Sequence, residues 1–155
     1  MRKVSAKSNW WRGFNLFLVT ALLLIPSAFA QEKEEMKQFA KRDLKHLERS
    51  YEREQVNDFL DAVSNRYLPE QVSELKAQLI DRFSTSSAIR VKIFIDSYVI
   101  NREKKRIAVK AHWNRILVES GQTAPTRAQG QTTFFFEIKN GRAKLIDMRG
   151  DALFD

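Results

Sequence analysis

IRVKIFIDSYVI (residues 89–100) and RIAVKAHWNRILV (residues 106–118) are the two runs whose reading decides the fold. In the first, Ile89, Val91, Ile93, Ile95 and Val99 share one parity, with Arg90, Lys92, Asp96 and Tyr98 on the other. In the second, Ile107, Val109, Ala111 and Trp113 alternate with Lys110, His112 and Asn114. A period of two with one apolar face marks a half-buried strand. A turn within residues 101–105 has odd length and keeps the two parities aligned. Ile93 then opposes Trp113, Ile95 opposes Ala111, and Val99 opposes Ile107. A slip of one residue would turn every apolar side chain to water, so this register is strongly specified. The rest of the chain must cover that face.

Downstream, residues 120–131 are polar and contain Gly121, Pro125 and Gly130, the composition of a mobile inter-strand loop. Asn140 and Gly141 then supply a two-residue type I′ turn. Pairing outward from it sets Ile138 against Ala143, Phe136 against Leu145 and Phe134 against Asp147 on one face. Glu137 and Lys144 meet on the other as a cross-strand ion pair. Phe135, Ile146 and Met148 fall on the parity opposite to Phe136 and Leu145, and need cover of their own. A curved sheet, a partner chain or the terminal Ala152, Leu153 and Phe154 would provide it.

Upstream the period changes. Met36, Ala40, Leu44, Leu47 and Tyr51 recur at steps of three and four, an apolar stripe on a charged helix. Glu32, Glu34 and Glu35 would form its first turn, where acids suit the helix dipole. Val56, Phe59, Leu60 and Val63 continue the stripe or kink away from it near Glu54. Pro69 opens a further helix, with Val72, Leu75, Leu79, Ile80 and Phe83 on its buried face. Polar residues 84–87 break it before the first strand. Helices followed by antiparallel strands predict an α+β domain.

The first thirty residues read as an address. Arg2, Lys3, Lys7 and Arg12 precede an apolar run from Phe14 to Ile25, Pro26 breaks that run, and Ala28, Phe29 and Ala30 form a small–x–small cleavage pattern. This is the anatomy of a secretory signal peptide cleaved before Gln31, giving a periplasmic or secreted product. The alternative is a membrane anchor through residues 14–30, short for a span that needs ~20 apolar residues. The chain thus divides into residues 1–30 (leader), 31–50 (charged amphipathic helix) and 51–155 (α+β domain).

Composition bounds the chemistry. The 155 residues, 43% hydrophobic, suffice for one domain with a real core. There is no cysteine, so no disulfide, thiolate metal site or cysteine nucleophile. With only His46 and His112, no metal site and no cofactor are expected. Removal of residues 1–30 takes four basic residues and no acid, lowering the net charge from +8 to +4. No nucleic-acid partner is expected from that remainder, and membrane contact only through an uncleaved leader.

The order of elements resembles the nuclear transport factor 2-like superfamily, also called cystatin-like. The resemblance rests on Asp58-Phe59-Leu60-Asp61-Ala62-Val63, a helix running into Phe83, a strand ending near Trp113, and a closing hairpin through Leu145-Ile146-Asp147-Met148-Arg149-Gly150-Asp151. It covers residues 51–155 and implies a strongly bent antiparallel sheet wrapped around helices, a cone. The superfamily includes isomerases, dehydratases, epoxide hydrolases and polyketide cyclases. It also includes non-catalytic binding and assembly modules, one of them a periplasmic part of type IV secretion machines. Its enzymes use acids, tyrosines or histidines projecting into the cone. Asp147 is the catalytic candidate here, with Tyr51 and Tyr67 within reach of the same cavity.

The expected function is nevertheless binding or assembly, with a small cone enzyme using Asp147 as the alternative. Ile93, Ile95, Val109, Trp113, Phe134, Phe136 and Leu145 would line a cone for a small apolar ligand, or fill it. Phe135, Ile146 and Met148 would form an interface for a homodimer or an envelope protein. The basic edge of Arg90, Lys92, Arg102, Lys104, Lys105, Arg106 and Lys110 is a third, purely electrostatic surface.

Overall fold

The computed structural model describes residues 10–64, 66 and 69–154, with side chains described from residue 28 onward apart from residues 69 and 70. Tyr67 and the basic residues Arg2, Lys3 and Lys7 of the expected leader lie outside the described residues. Contacts divide the chain into two units, Met1–Glu34 and Glu35–Asp155.

Helix α1 spans Trp10–Glu52. It runs through Pro26, where a break was expected, so Glu32, Glu34 and Glu35 lie inside the helix and not in its first turn. Proline removes one helical hydrogen bond, and the Leu/Ala-rich turns around it carry the helix across that loss. Within the second unit, Met36, Ala40, Leu44, Leu47 and Tyr51 are all buried, so the predicted stripe is a wall of the core. α1 ends on Glu54 in the left-handed conformation (φ 58°). The amides of Glu54 and Gln55 donate to the carbonyls of Tyr51 (3.1 Å) and Ser50 (2.9 Å). That pattern is a Schellman motif with a glutamate where glycine is the usual residue. The kink near Glu54 therefore separates α1 from α2, Val56–Asp61. Helix α3, Pro69–Thr85, closes on the hydroxyls of Ser84 and Thr85, which donate to the Asp81 carbonyl at 2.8 and 3.0 Å.

Four antiparallel strands follow as a meander: β1 (Ser86–Asn101), β2 (Arg106–Glu119), β3 (Thr126–Lys139) and β4 (Arg142–Gly150). The fold is α+β, helices first and then a curved antiparallel sheet. Ile93 pairs with Trp113 and Ile95 with Ala111, as the alternation requires. A bulge at Asp96 then shifts the register, so Val99 pairs with Ala108, and Ile107 takes Ile100. Tyr98 and Ile100 consequently turn toward the core and Val99 turns away, the reverse of the parity reading. The connection after β2 is shorter than expected, because residues 126–131 belong to β3. Gly130 sits opposite Trp113, and a Cβ there would lie 2.7 Å from the indole. It is a strand position that only glycine fits, which composition disguises as loop.

In the last hairpin Asn140 and Gly141 both have positive φ (52° and 69°), as a type I′ turn demands. Phe136 meets Leu145 and Ile138 meets Ala143 as expected. A second bulge leaves Ile146 unpaired, so Phe134 opposes Met148, not Asp147, and Asp147 opposes Phe135. Bulges bend and twist the strands that carry them, and these two help to curl the sheet.

The helical half caps both sheet edges at particular points. On β1, the amides of Val91 and Ile93 donate to Glu52 (3.0 Å) and Glu48 (3.2 Å) of α1. On β4, the Ala143 amide donates to buried Asp43 (2.6 Å), and residues 62–64 pair with Leu145 as a parallel bridge. Exposed strand edges invite pairing with other chains, and here carboxylates and a short extra strand occupy parts of them. The tail returns along β3: Asp151 exchanges backbone and side-chain hydrogen bonds with Gln131, both 2.8 Å. Leu153 and Phe154 then enter the core, where Phe154 lies edge-on to Phe59 (4.8 Å) and Tyr51 (5.0 Å). The tail thus lines the inside of the cone and does not cover Phe135 and Ile146.

Candidate functional site

The expected cavity set separates into two groups. Val109, Trp113, Phe134, Phe136 and Leu145 are buried in the packed core, joined there by Tyr51, Phe59 and Phe154. The Trp113 indole N–H donates to Thr132 Oγ1 at 3.0 Å, and that hydroxyl donates to the Asp151 carbonyl at 2.6 Å. Ile93 and Ile95 are only half-buried and border a groove against α1.

Asp147 leaves the core-facing side because the Ile146 bulge inverts its parity. It faces outward across from Phe135 and accepts from Arg149 Nε at 2.9 Å. Other carboxylates are engaged by their surroundings. Buried Glu137 opposes Lys144 across β3 and β4, as expected, without the expected ion pair. It accepts from Ser64 Oγ and forms an ion pair with Arg66 at 3.0 Å. The Lys144 ammonium instead donates to the Asp61 carbonyl. Desolvation, reinforced by Arg142, holds Lys144 below the usual lysine value, against the opposing pull of Asp61 and Asp43. On the exposed side of β1 and β2, Asp96 Oδ1 lies 2.7 Å from His112 Nδ1, and the imidazole stacks on Phe94 at 5.0 Å.

The expected interface also divides. Met148 pairs with Phe134 and packs on the core. Phe135 and Ile146 remain on the outer face, and the Asp96 bulge adds Val99 to them. Paired residues Val99, Ala108, Phe135 and Asp147 form one row across all four strands. Val99 is 71% exposed. Val99, Ala108, Phe135 and Ile146 line a depression of about 280 Å³, with Arg106 and Arg149 on its rim. The Arg149 guanidinium stands 5.1 Å over the Phe135 ring. Rows on either side are cationic: Ser97, Lys110 and Thr133 on one, Asn101, Arg106, Glu137 and Lys144 on the other. Sequence parity found Phe135 and Ile146. It missed Val99 because no alternation rule places a bulge, whereas Arg106 and Lys110 beside the row belong to the expected basic edge.

No protein-family model matches the chain, and no curated protein matches it significantly. Solved structures do share its fold. A conserved protein from Planctomyces limnophilus aligns with a TM-score of 0.63 at 10% identity, covering 72% of this chain and 91% of its own. A putative scytalone dehydratase from Novosphingobium aromaticivorans aligns at 0.62 and 9% identity, covering 75% and 84%. A nuclear transport factor 2-like superfamily protein from Salmonella enterica aligns at 0.59 and 10% identity, covering 77% and 92%. The fold is therefore the nuclear transport factor 2-like one, which both enzymes and other proteins use.

Proposed function

We propose that the chain is an exported, non-catalytic docking module that binds a protein partner on the outer face of its sheet. The observation that carries this is the row of Val99, Ala108 and Phe135 with Ile146 beside it. Val99 is exposed and Ala108, Phe135 and Ile146 are half-buried, an apolar patch shared by four strands and ending on Asp147. Contiguous apolar surface of this kind is a mark of an interaction site. The core supports the same reading, because Phe154 and Leu153 occupy the interior of the cone, and Asp43, Glu48 and Glu137 hold backbone amides or basic partners.

The rim defines the partner's chemistry. Arg106 and Lys110 flank the row, and Arg149 is paired there with Asp147 and lies over Phe135. The Lys144 ammonium donates to the Asp61 carbonyl, and Glu137 is paired with Arg66. A surface offering apolar side chains between carboxylates complements this face, and charge complementarity of this kind sets both register and on-rate. A second copy would bring the same cations into opposition.

The test is a photo-crosslinking residue placed at Val99, with another at the exposed Ile80 of α3 as control. Discrete adducts from position 99, absent from position 80 and lost on Phe135→Glu, are expected. Circular dichroism of Phe135→Glu serves as the folding control, with Lys110→Glu as a second, wholly exposed variant. Position-independent adducts would overturn the reading. An adduct of twice the chain mass would replace the foreign partner by self-association.

A further inference from the structure

A second surface, on the other side of β1, is independent of that docking face. Between α1 and β1 lies a groove of about 650 Å³, lined by Leu44, Ile93, Phe94, Ile95 and Tyr98 and by Lys41, Lys45 and the carboxylate Glu48. Its size falls within the ~300–1,000 Å³ of small-molecule sites, which are apolar with a few polar groups fixing orientation. Lys45 is committed to Glu48, and Lys92 approaches the same carboxylate at 3.9 Å. Lys41, one helical turn before Lys45, has no ion-pair partner among the described residues.

We propose that this groove binds a single-chain amphiphile with an anionic head, its hydrocarbon along Leu44, Ile93, Ile95 and Tyr98 and its head on Lys41. The argument for an acyl chain over an extended peptide comes from the strand edge. Strand addition depends on a run of free edge amides, and here that run is interrupted: within the groove the Ile93 amide donates to Glu48, and beside it the Val91 amide donates to Glu52. A ligand there gains little from backbone pairing and must rely on apolar contact and one charge. A long-chain carboxylate supplies both, and the cationic bank selects it over a neutral chain of equal length.

The experiment titrates oleate, below its aggregation threshold, into the full-length protein by calorimetry, with oleyl alcohol as the uncharged comparison. Saturable one-to-one oleate binding is expected. Lys41→Glu should weaken it about tenfold, a change of one decade in Kd, while leaving oleyl alcohol binding unchanged. Ile95→Asn should weaken both ligands, and Val99→Glu neither, which separates this site from the docking face and from the apolar leader. If Ile95→Asn fails to fold, the Lys41→Glu comparison decides alone. Absence of saturable oleate binding would overturn the proposal. So would an oleate affinity indifferent to Lys41→Glu, or equal loss of the acid and the alcohol in that variant.

Discussion

Trp113 joins three parts of the fold through one side chain. Its ring fills core space over Gly130, and its N–H begins a chain through Thr132 to the returning tail at Asp151. Trp113→Ala removes the ring and leaves Thr132 without its donor, so a loss of ~3–5 kcal/mol is expected in chemical denaturation. Trp113→Phe keeps most of the volume and should cost about 1–3 kcal/mol, the penalty for an unmade buried hydrogen bond plus imperfect packing. A loss below about 1 kcal/mol for the alanine variant, the range of surface positions, would place Trp113 outside the core. Glu54 works in the opposite direction. It holds φ 58° at the end of α1, a conformation that costs L-residues roughly 1–2 kcal/mol and glycine little. Glu54→Gly should therefore raise stability, by about 1 kcal/mol once the unfolded chain's added freedom is deducted. A lower thermal midpoint in that variant would show that the glutamate side chain contributes more than its backbone strain removes.

At the scale of elements, what the sequence made legible stops where a strand gains one residue. Alternation placed Ile93 against Trp113 and Phe136 against Leu145 because each residue there follows the pleat. Asp96 and Ile146 interrupt the pleat, and beyond them the bulged strand inverted: Val99 went out, Tyr98 came in, and Asp147 left the core-facing side, while Ile107 and Phe134 on the partner strands stayed buried. The consecutive polar residues Asp96 and Ser97 were the one local hint of the first bulge. The apolar stripe of α1 was legible for the same reason as the strands, since it is a strict periodicity. The acids beside it were not. Asp43 and Glu48 look like ordinary solvated charges in a Lys/Arg/Glu-rich helix, yet they cap amides on opposite edges of the sheet. Only the tertiary arrangement gives them those partners. Glu48→Ala is expected to destabilise the domain by about 1 kcal/mol, the low end of the cost of an unsatisfied amide, because the Ile93 amide is only part-buried. It should also accelerate hydrogen exchange at Ile93 before any other β1 amide. Exchange at Ile93 unchanged from wild type would show that Glu48 is dispensable as an edge cap.

For the whole molecule, the expected leader ends before the core begins. The buried hydrophobic residues described start at Met36, and the second unit starts at Glu35, both beyond the small–x–small pattern that ends at Ala30. From residue 28 onward, no described helix is long and apolar enough to cross a membrane. Cleavage before Gln31 would leave the buried stripe from Met36 to Tyr51 complete, and with it the carboxylates on both sheet edges. The protein recovered from an envelope fraction should therefore have an intact mass beginning at Gln31. A chain from residue 31 to 155 should show the same denaturant midpoint for its folded unit as the full-length protein. Starting the chain instead at Lys41 removes Met36 and Ala40 from the core, and a loss of ~2–5 kcal/mol is expected. Mass analysis and denaturation answer different questions here. A full-length mass retained in the membrane would replace export by anchoring while leaving the folding boundary intact. A 31–155 chain less stable than the full-length protein would move that boundary into the leader.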